Sequence, residues 1–200
     1  MFNCNILIES QYFPSVLAMK AMVESEQLMI EQWEHYCKMS FRNRCIITGS
    51  NGPIHLSIPL KDGRQQRRLI TDVLIDNTVN WQVQHWRSIS SCYARAPYFD
   101  YFEMKFAPFF LQPYNSLFQF NKAILTTLLS VFKSKTNLQL TQGYHKECEG
   151  YKDNRNHFLP KNYTQFTEAA IEYTQVFEYK NGFLPNLSII DYICCEGIKL

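Results

Sequence analysis

The chain opens with a strand, a helix and a second strand in close succession, and that order restricts its fold more than any later feature. Asn5-Ile6-Leu7-Ile8-Glu9 is a short apolar run, and Ser10-Gln11-Tyr12-Phe13-Pro14 follows it. Pro14 suits the first turn of a helix, where a missing N–H costs nothing. Val16, Leu17, Met19, Ala21, Met22 and Val23 then give Ser15 to Val23 the apolar density of a largely buried helix, and Leu28-Met29-Ile30 reads as the second strand. In a β-α-β unit a crevice forms where the first strand ends and the helix begins. The free backbone N–H groups at that helix start favour an anion. Gln11 and Tyr12 are expected in this crevice.

The rest of the chain continues to interleave strands and helices. Cys45 to Thr48 and Ile54 to Leu60 flank Gly49-Ser50-Asn51-Gly52-Pro53, which predicts a β-hairpin closed at Asn-Gly, with His55, Ser57 and Pro59 alternating against Ile54, Leu56 and Ile58. Lys61 to Arg68 is a polar loop and a candidate lid. Leu69 to Asp76 reads as a strand, and the helical run that carries Trp81, His85, Trp86 and Ile89 reaches Ala96 before Pro97. Leu117 to Phe132 is a long amphipathic helix, and Asn137 to Thr141 a strand. His145 to Asn156 loses apolar periodicity and reads as a charged loop. Tyr173 to Tyr179 alternates as a strand. Ser188 is placed to cap a last helix, Ile189 to Glu196, that stops at Gly197. The pattern predicts one layered α/β domain over residues 1–200, with a Rossmann-like β-α-β core, an inserted hairpin and a helical segment.

Composition narrows the function. A chain of 200 residues that is 46% hydrophobic and 15% aromatic can bury a full core, so disorder is excluded over most of it. A formal net charge of +2 argues against a dedicated nucleic-acid coat, and any anion site must be focal. No apolar run reaches the ~20 residues of a membrane-spanning helix, and Met1 to Glu9 lacks a basic n-region and a cleavage site. A cytoplasmic protein with no membrane partner is expected. The seven cysteines, Cys4, Cys37, Cys45, Cys92, Cys148, Cys194 and Cys195, are odd in number and lack C-x-x-C spacing, which supports neither a disulfide framework nor a zinc ribbon. No metal-ligand motif occurs, and a Mg²⁺ ion held through substrate phosphates would need only a carboxylate such as Asp72 or Asp76. The cofactor, if any, is unknown from sequence.

Lys38-Met39-Ser40-Phe41-Arg42-Asn43-Arg44-Cys45 is the densest chemistry in the chain. Arg42, Asn43 and Arg44 offer planar donors suited to carboxylates and phosphates, and Lys38 adds a mobile point charge. The alternative is a solvated turn. Cys37 and Cys45 flank the cluster, where a neighbouring cation would favour a thiolate, against the alternative of small buried apolar residues. His85 lies four residues after Trp81 on one helix face and is the candidate general base. The aromatic run Tyr98, Phe99, Tyr101, Phe102 and Phe106 would stack on a ligand or, more simply, fill the core.

Taken in order, Gln11-Tyr12-Phe13-Pro14, the Lys38 to Arg44 cluster, Ile58-Pro59-Leu60, Ile75-Asp76-Asn77 with Trp81 and His85, Tyr93 with Ala96-Pro97-Tyr98-Phe99, and Phe183-Leu184-Pro185-Asn186-Leu187-Ser188-Ile189-Ile190-Asp191 resemble the WbqC-like protein family. That resemblance covers nearly the whole chain. It implies a bacterial protein serving surface-polysaccharide (O-antigen) assembly, and a transferase that modifies a nucleotide-activated sugar by acyl or aminoacyl transfer. On this reading Lys38, Arg42 and Arg44 hold phosphates, Asn43 and Gln11 orient polar groups, Tyr12 takes a ring face and His85 acts as base. Two other classes stay open. One is a binding module without chemistry, for a nucleotide, a sugar, or single-stranded RNA along Arg42, Arg44, Arg64, Arg67 and Arg68. The other is a scaffold protein that pairs through Phe106 to Phe110. Oligomeric state is not legible.

Overall fold

A computed structural model describes residues 5–63, 67–167 and 169–200. Met1 to Cys4, Arg64 to Gln66 of the polar loop, and Glu168 lie outside the described residues.

β1 (Ile6–Glu9), α1 (Val16–Glu24) and β2 (Gln27–Glu31) form the expected unit, with β1 and β2 parallel in the register Ile6 to Leu28 through Glu9 to Glu31. All of β1 is buried, which explains why it reads as an unbroken apolar run and not as an alternation. The helix begins at Val16 with Ser15 as its cap residue, so Pro14 precedes the first turn instead of opening it. Pro14 still has a task, because its carbonyl accepts a bond from Ile189 N while Val16 N donates to the Leu187 carbonyl.

After β2 the chain makes the antiparallel hairpin β3 (Arg44–Gly49) and β4 (Gly52–Ser57). Gly52 closes it with φ at +108°, a conformation open to glycine and costly for other residues. β5 (Asn137–Leu140) joins β2 and β6 (Lys152–Asp153) joins β1, both in parallel, so the main sheet runs β5-β2-β1-β6. Counted within this sheet alone, the order is third, second, first, fourth. The chain therefore steps outward from β1 to β5 and then returns to the other side of β1, which sets a topological switch between β1 and β6.

Seven α-helices are present among the described residues: α1, α2 (Trp81–Tyr93), α3 (Phe99–Phe106), α4 (Pro108–Leu111), α5 (Leu117–Val131), α6 (Glu178–Asn181) and α7 (Ile189–Glu196). The result is a mixed α/β protein with a parallel sheet. None of these helices is long and apolar enough to cross a membrane. The aromatic run is core: Phe13, Phe102, Phe106 and Phe120 are fully buried, and Phe13 meets Phe102, Phe106 and Phe110 ring to ring.

Three sequence expectations are corrected. Leu69 to Asp76 is not a strand, but a 3₁₀ turn at Ile70–Asp72 with single bridges. Leu69, Leu74 and Ile75 each bridge a different segment, so no continuous ladder develops. Tyr173 to Tyr179 is irregular and ends in α6. Its alternation is real, since Tyr173 and Gln175 are buried around exposed Thr174, but their side chains bond inward and no strand pairs with the segment among the described residues. Finally, the charged loop from His145 to Asn156 contains β6, whose two residues are both exposed and carry no apolar signal.

Candidate functional site

Each strand of the parallel sheet delivers a polar group to the same end. β1 ends in Glu9, β2 in Glu31 and β6 in Asp153, and Thr141 follows β5. Glu9 and Glu31 are wholly buried, a costly position for a carboxylate unless every oxygen is bonded. Glu9 accepts from Gln11 Nε2 at 2.8 Å and from the Asn156 backbone N–H at 2.8 Å. Glu31 accepts from Trp33 N and Thr141 Oγ1, both at 2.8 Å, and from Arg155 Nη1 at 3.0 Å.

Two guanidinium groups complete this layer. Arg42 is wholly buried and grips Glu34 in a bidentate pair, Nε to Oε1 at 2.7 Å and Nη2 to Oε2 at 2.5 Å, with Nη1 donating to Asn156 Oδ1 at 3.0 Å. Arg155 binds both oxygens of Asp153, reaches Glu31, and lies 5.0 Å over the Tyr144 ring. Burial raises the Glu34 pKa, Arg42 opposes that rise, and the Glu9 and Glu31 charges add to it. For Arg42, burial disfavours the charge, but the hydrogen bonds and charge of Glu34 outweigh it and keep the guanidinium protonated. Burial likewise works against the Asp153 carboxylate, and its bonds to Arg155 bring its pKa below the usual value.

Above this layer opens a cavity of about 560 Å³, within the ~300 to 1,000 Å³ typical of small-molecule sites. Trp33, Glu34, His35, Cys37 and Arg42 line one part of it, and Tyr144, Lys146, Asp153, Arg155 and Asn156 the rest. It lies outside the carboxyl ends of β2 and β6, beside the switch between β1 and β6. Open α/β sheets bind their ligands at this location. Asn156 holds φ at +57° between Glu9 and Arg42, a left-handed turn that asparagine tolerates better than most residues.

The structure divides the residues singled out in the sequence into three groups. Arg42 reaches the cavity wall, and Gln11 sits behind it on Glu9, with its own Oε1 buried and unpartnered. Tyr12 and His85 meet each other away from the cavity lining: Tyr12 is fully buried and its hydroxyl is 2.9 Å from His85 Nδ1. Burial lowers the His85 pKa to about 4, against a hydrogen bond with the Ser57 backbone that raises it. A neutral imidazole that gives its Nε2 proton to that backbone takes the Tyr12 O–H at Nδ1. Asn43 joins Tyr36 to the Ile58 carbonyl, accepting from the one and donating to the other.

Lys38 and Arg44, neither of which lines the cavity, form the third group. Lys38 is exposed and makes no ion pair among the described residues. Arg44 is 9% exposed, yet no carboxylate meets it among the described residues; its Nη1 has only the Met39 sulfur at 3.7 Å, and its Nε is buried without a partner. Cys37 is exposed on the cavity wall, whereas Cys45 is buried and its thiol pKa is pushed up by that burial. No group of three or more His, Cys, Asp or Glu is arranged to hold a metal ion among the described residues, and Asp72 and Asp76 do not line the cavity.

Sequence reasoning passed over Trp33, Glu34, Tyr144, Asp153 and Arg155. One usable signal was present. Glu9 and Glu31 each close an apolar strand, and a carboxylate at that position must find a buried partner.

Together the fold and the site define an α/β protein with a polar cavity at the carboxyl ends of a parallel sheet. Residues 9–159 match the model of the WbqC-like protein family, and the chain belongs to that family. It is 25% identical over 139 residues to the uncharacterized protein Rv1507c of Mycobacterium tuberculosis (strain ATCC 25618 / H37Rv), a match covering 69% of this chain. The match spans about 60% of that relative's length. No solved structure matches the chain.

Proposed function

We propose that this protein is a cytoplasmic enzyme of surface-polysaccharide assembly that binds a nucleotide-activated sugar at the switch-point cavity and accepts or transfers an acyl or aminoacyl group there. The observation that carries this reading is the position of the cavity. It opens at the β1–β6 switch of a parallel sheet, where a Rossmann-like unit takes its ligand. Membership of the WbqC-like family supports the polysaccharide context.

The charge inventory assigns roles within that reading. Arg42 and Arg155 are already bound to carboxylates, so they shape the wall. Arg44, buried and meeting no carboxylate among the described residues, and the ammonium group of Lys38, which makes no ion pair among them, are the cations assigned to a diphosphate. His85 holds Tyr12, and Asn43 fixes the chain between the Lys38 turn and Arg44 at the start of β3.

Titration calorimetry against nucleotide sugars and the matching nucleoside diphosphates, with and without Mg²⁺, tests this. Saturable binding of at least one nucleotide sugar, weakened in Arg44→Met, is the expected result. Absence of binding across the panel refutes the reading.

A further inference from the structure

Resting on that reading, we propose that the cavity is the seat of the sugar: Trp33 and Tyr144 clasp the pyranose ring, and Asp153, Arg155 and Asn156 bond its hydroxyls. The diphosphate and nucleoside lie outside, toward Lys38 and Arg44.

Trp33 is 44% exposed and Tyr144 57%, so the core does not account for either ring, and both line the cavity. Trp33 is nevertheless held in place. Its indole N–H donates to the Thr141 carbonyl at 3.0 Å, and its backbone N–H donates to Glu31 at 2.8 Å. An exposed indole fixed at both its backbone and its ring nitrogen is a preorganised platform, and little side-chain entropy is lost when a ligand covers it. Tyr144 is steadied on one side by the Arg155 guanidinium.

Around these rings the lining is polar, and its guanidinium groups are already paired, Arg42 with Glu34 and Arg155 with Asp153. Arg155 carries both Asp153 oxygens, yet the Asp153 side chain stays 41% exposed, Asn156 is exposed, and both line the cavity. Paired donors and acceptors of this kind suit vicinal hydroxyls, which donate and accept at once. They suit a diphosphate less, because Arg42 and Arg155 are already held by Glu34 and Asp153, whose carboxylates meet a phosphate as like charges, and of the described lining cations Lys146 alone is left to attract it. A nucleobase would use the rings but leave most of the polar rim unbonded. A pyranose has an apolar C–H face for the rings and a hydroxylated edge for the rim.

Calorimetry on the full chain separates the cases, with Trp33→Ala, Trp33→Phe and wild type each titrated with a nucleotide sugar and with its nucleoside diphosphate. Trp33→Ala is expected to weaken the nucleotide sugar about tenfold, to leave the diphosphate within about twofold, and to be rescued largely by Trp33→Phe. Tryptophan emission gives a second readout, because Trp81 is buried and Trp86 half-buried; the sugar form should shift emission in wild type and not in Trp33→Phe. Equal weakening of both ligands, or of neither, overturns the proposal. If wild type binds no nucleotide ligand, the broader reading fails, and methyl glycosides at millimolar concentration decide the cavity by saturation-transfer NMR. Transfer to ring protons that is lost in Trp33→Ala keeps the sugar seat; no transfer removes it.

Discussion

Tyr12 and His85, 73 residues apart in the chain, are joined by a 2.9 Å hydrogen bond in the interior, where the loop after β1 packs against α2. That bond ties the start of the parallel sheet to the helical layer. His85 contributes to it as a neutral ring, since burial holds its pKa at about 4.

The His85 shift has a thermodynamic sign. Its folded pKa lies below the ordinary value of 6.5, so the unfolded chain binds the extra proton first; the contribution is present above pH 6.5 and is lost as pH falls toward 4. Asp191 acts in the opposite direction. Burial raises its carboxyl to about 6, against the bonds from Tyr173 and Tyr93, so its contribution is present below pH 3.8 and is lost as pH rises through 6. The two windows overlap, and each contribution is on the order of 3 kcal/mol or less. Wild-type stability should therefore change little between pH 6.5 and 4.5. Urea unfolding of His85→Gln should show stability increasing as pH falls over that range, and Asp191→Asn should show it decreasing. Parallel pH profiles for the two variants would refute the assignment.

The Glu34–Arg42 pair supports the cavity wall. Arg42→Met leaves Glu34 buried without its cation, and Glu34→Gln leaves Arg42 in the same state, so each single change should cost roughly 3 to 5 kcal/mol in chemical denaturation. Replacing both, Glu34→Gln with Arg42→Met, should cost less than the two single changes added together, because no stranded charge remains. Strict additivity would mean that the pair is not energetically coupled.

Local signals were the legible part of this structure. Ser188 accepts from Ile190 N and Gly197 ends α7 at φ +78°, as a cap residue and a stop glycine should. β1 and the hairpin were visible because an unbroken apolar run and a strict alternation report burial on two faces or on one. The site was less legible because its bonds are tertiary. Arg42 and Glu34 are eight residues apart with no periodic relation, and Arg155 reaches Glu31 across 124 residues. A basic cluster read along the chain cannot show which of its cations is already neutralised. Here Arg42 is neutralised and Arg44 is not.

Cys37 provides a chemical reporter of the cavity. Cys45, Cys92, Cys194 and Cys195 are buried and Cys148 is half-buried, while Cys37 is exposed on the cavity wall. Limited iodoacetamide treatment followed by peptide mapping should label Cys37 well before those five. A bound nucleotide sugar should slow that labelling several-fold. Labelling of Cys37 that is indifferent to a ligand known to bind would place the ligand elsewhere.

Arg44 gives the sharpest contrast between stability and function. A guanidinium nine-tenths buried, with an orphan Nε and a sulfur at 3.7 Å, costs desolvation that no carboxylate among the described residues offsets. Arg44→Met keeps most of the side-chain volume and removes that cost, so the ligand-free protein should be unchanged or more stable, by up to about 2 kcal/mol. The same variant should lose roughly 2 to 5 kcal/mol of affinity for a nucleotide diphosphate, the usual loss when a desolvated charged contact is removed. A purely structural arginine would behave in the opposite way, losing stability on substitution and leaving binding intact. Thermal unfolding without ligand, paired with calorimetry at fixed ionic strength, distinguishes the two outcomes.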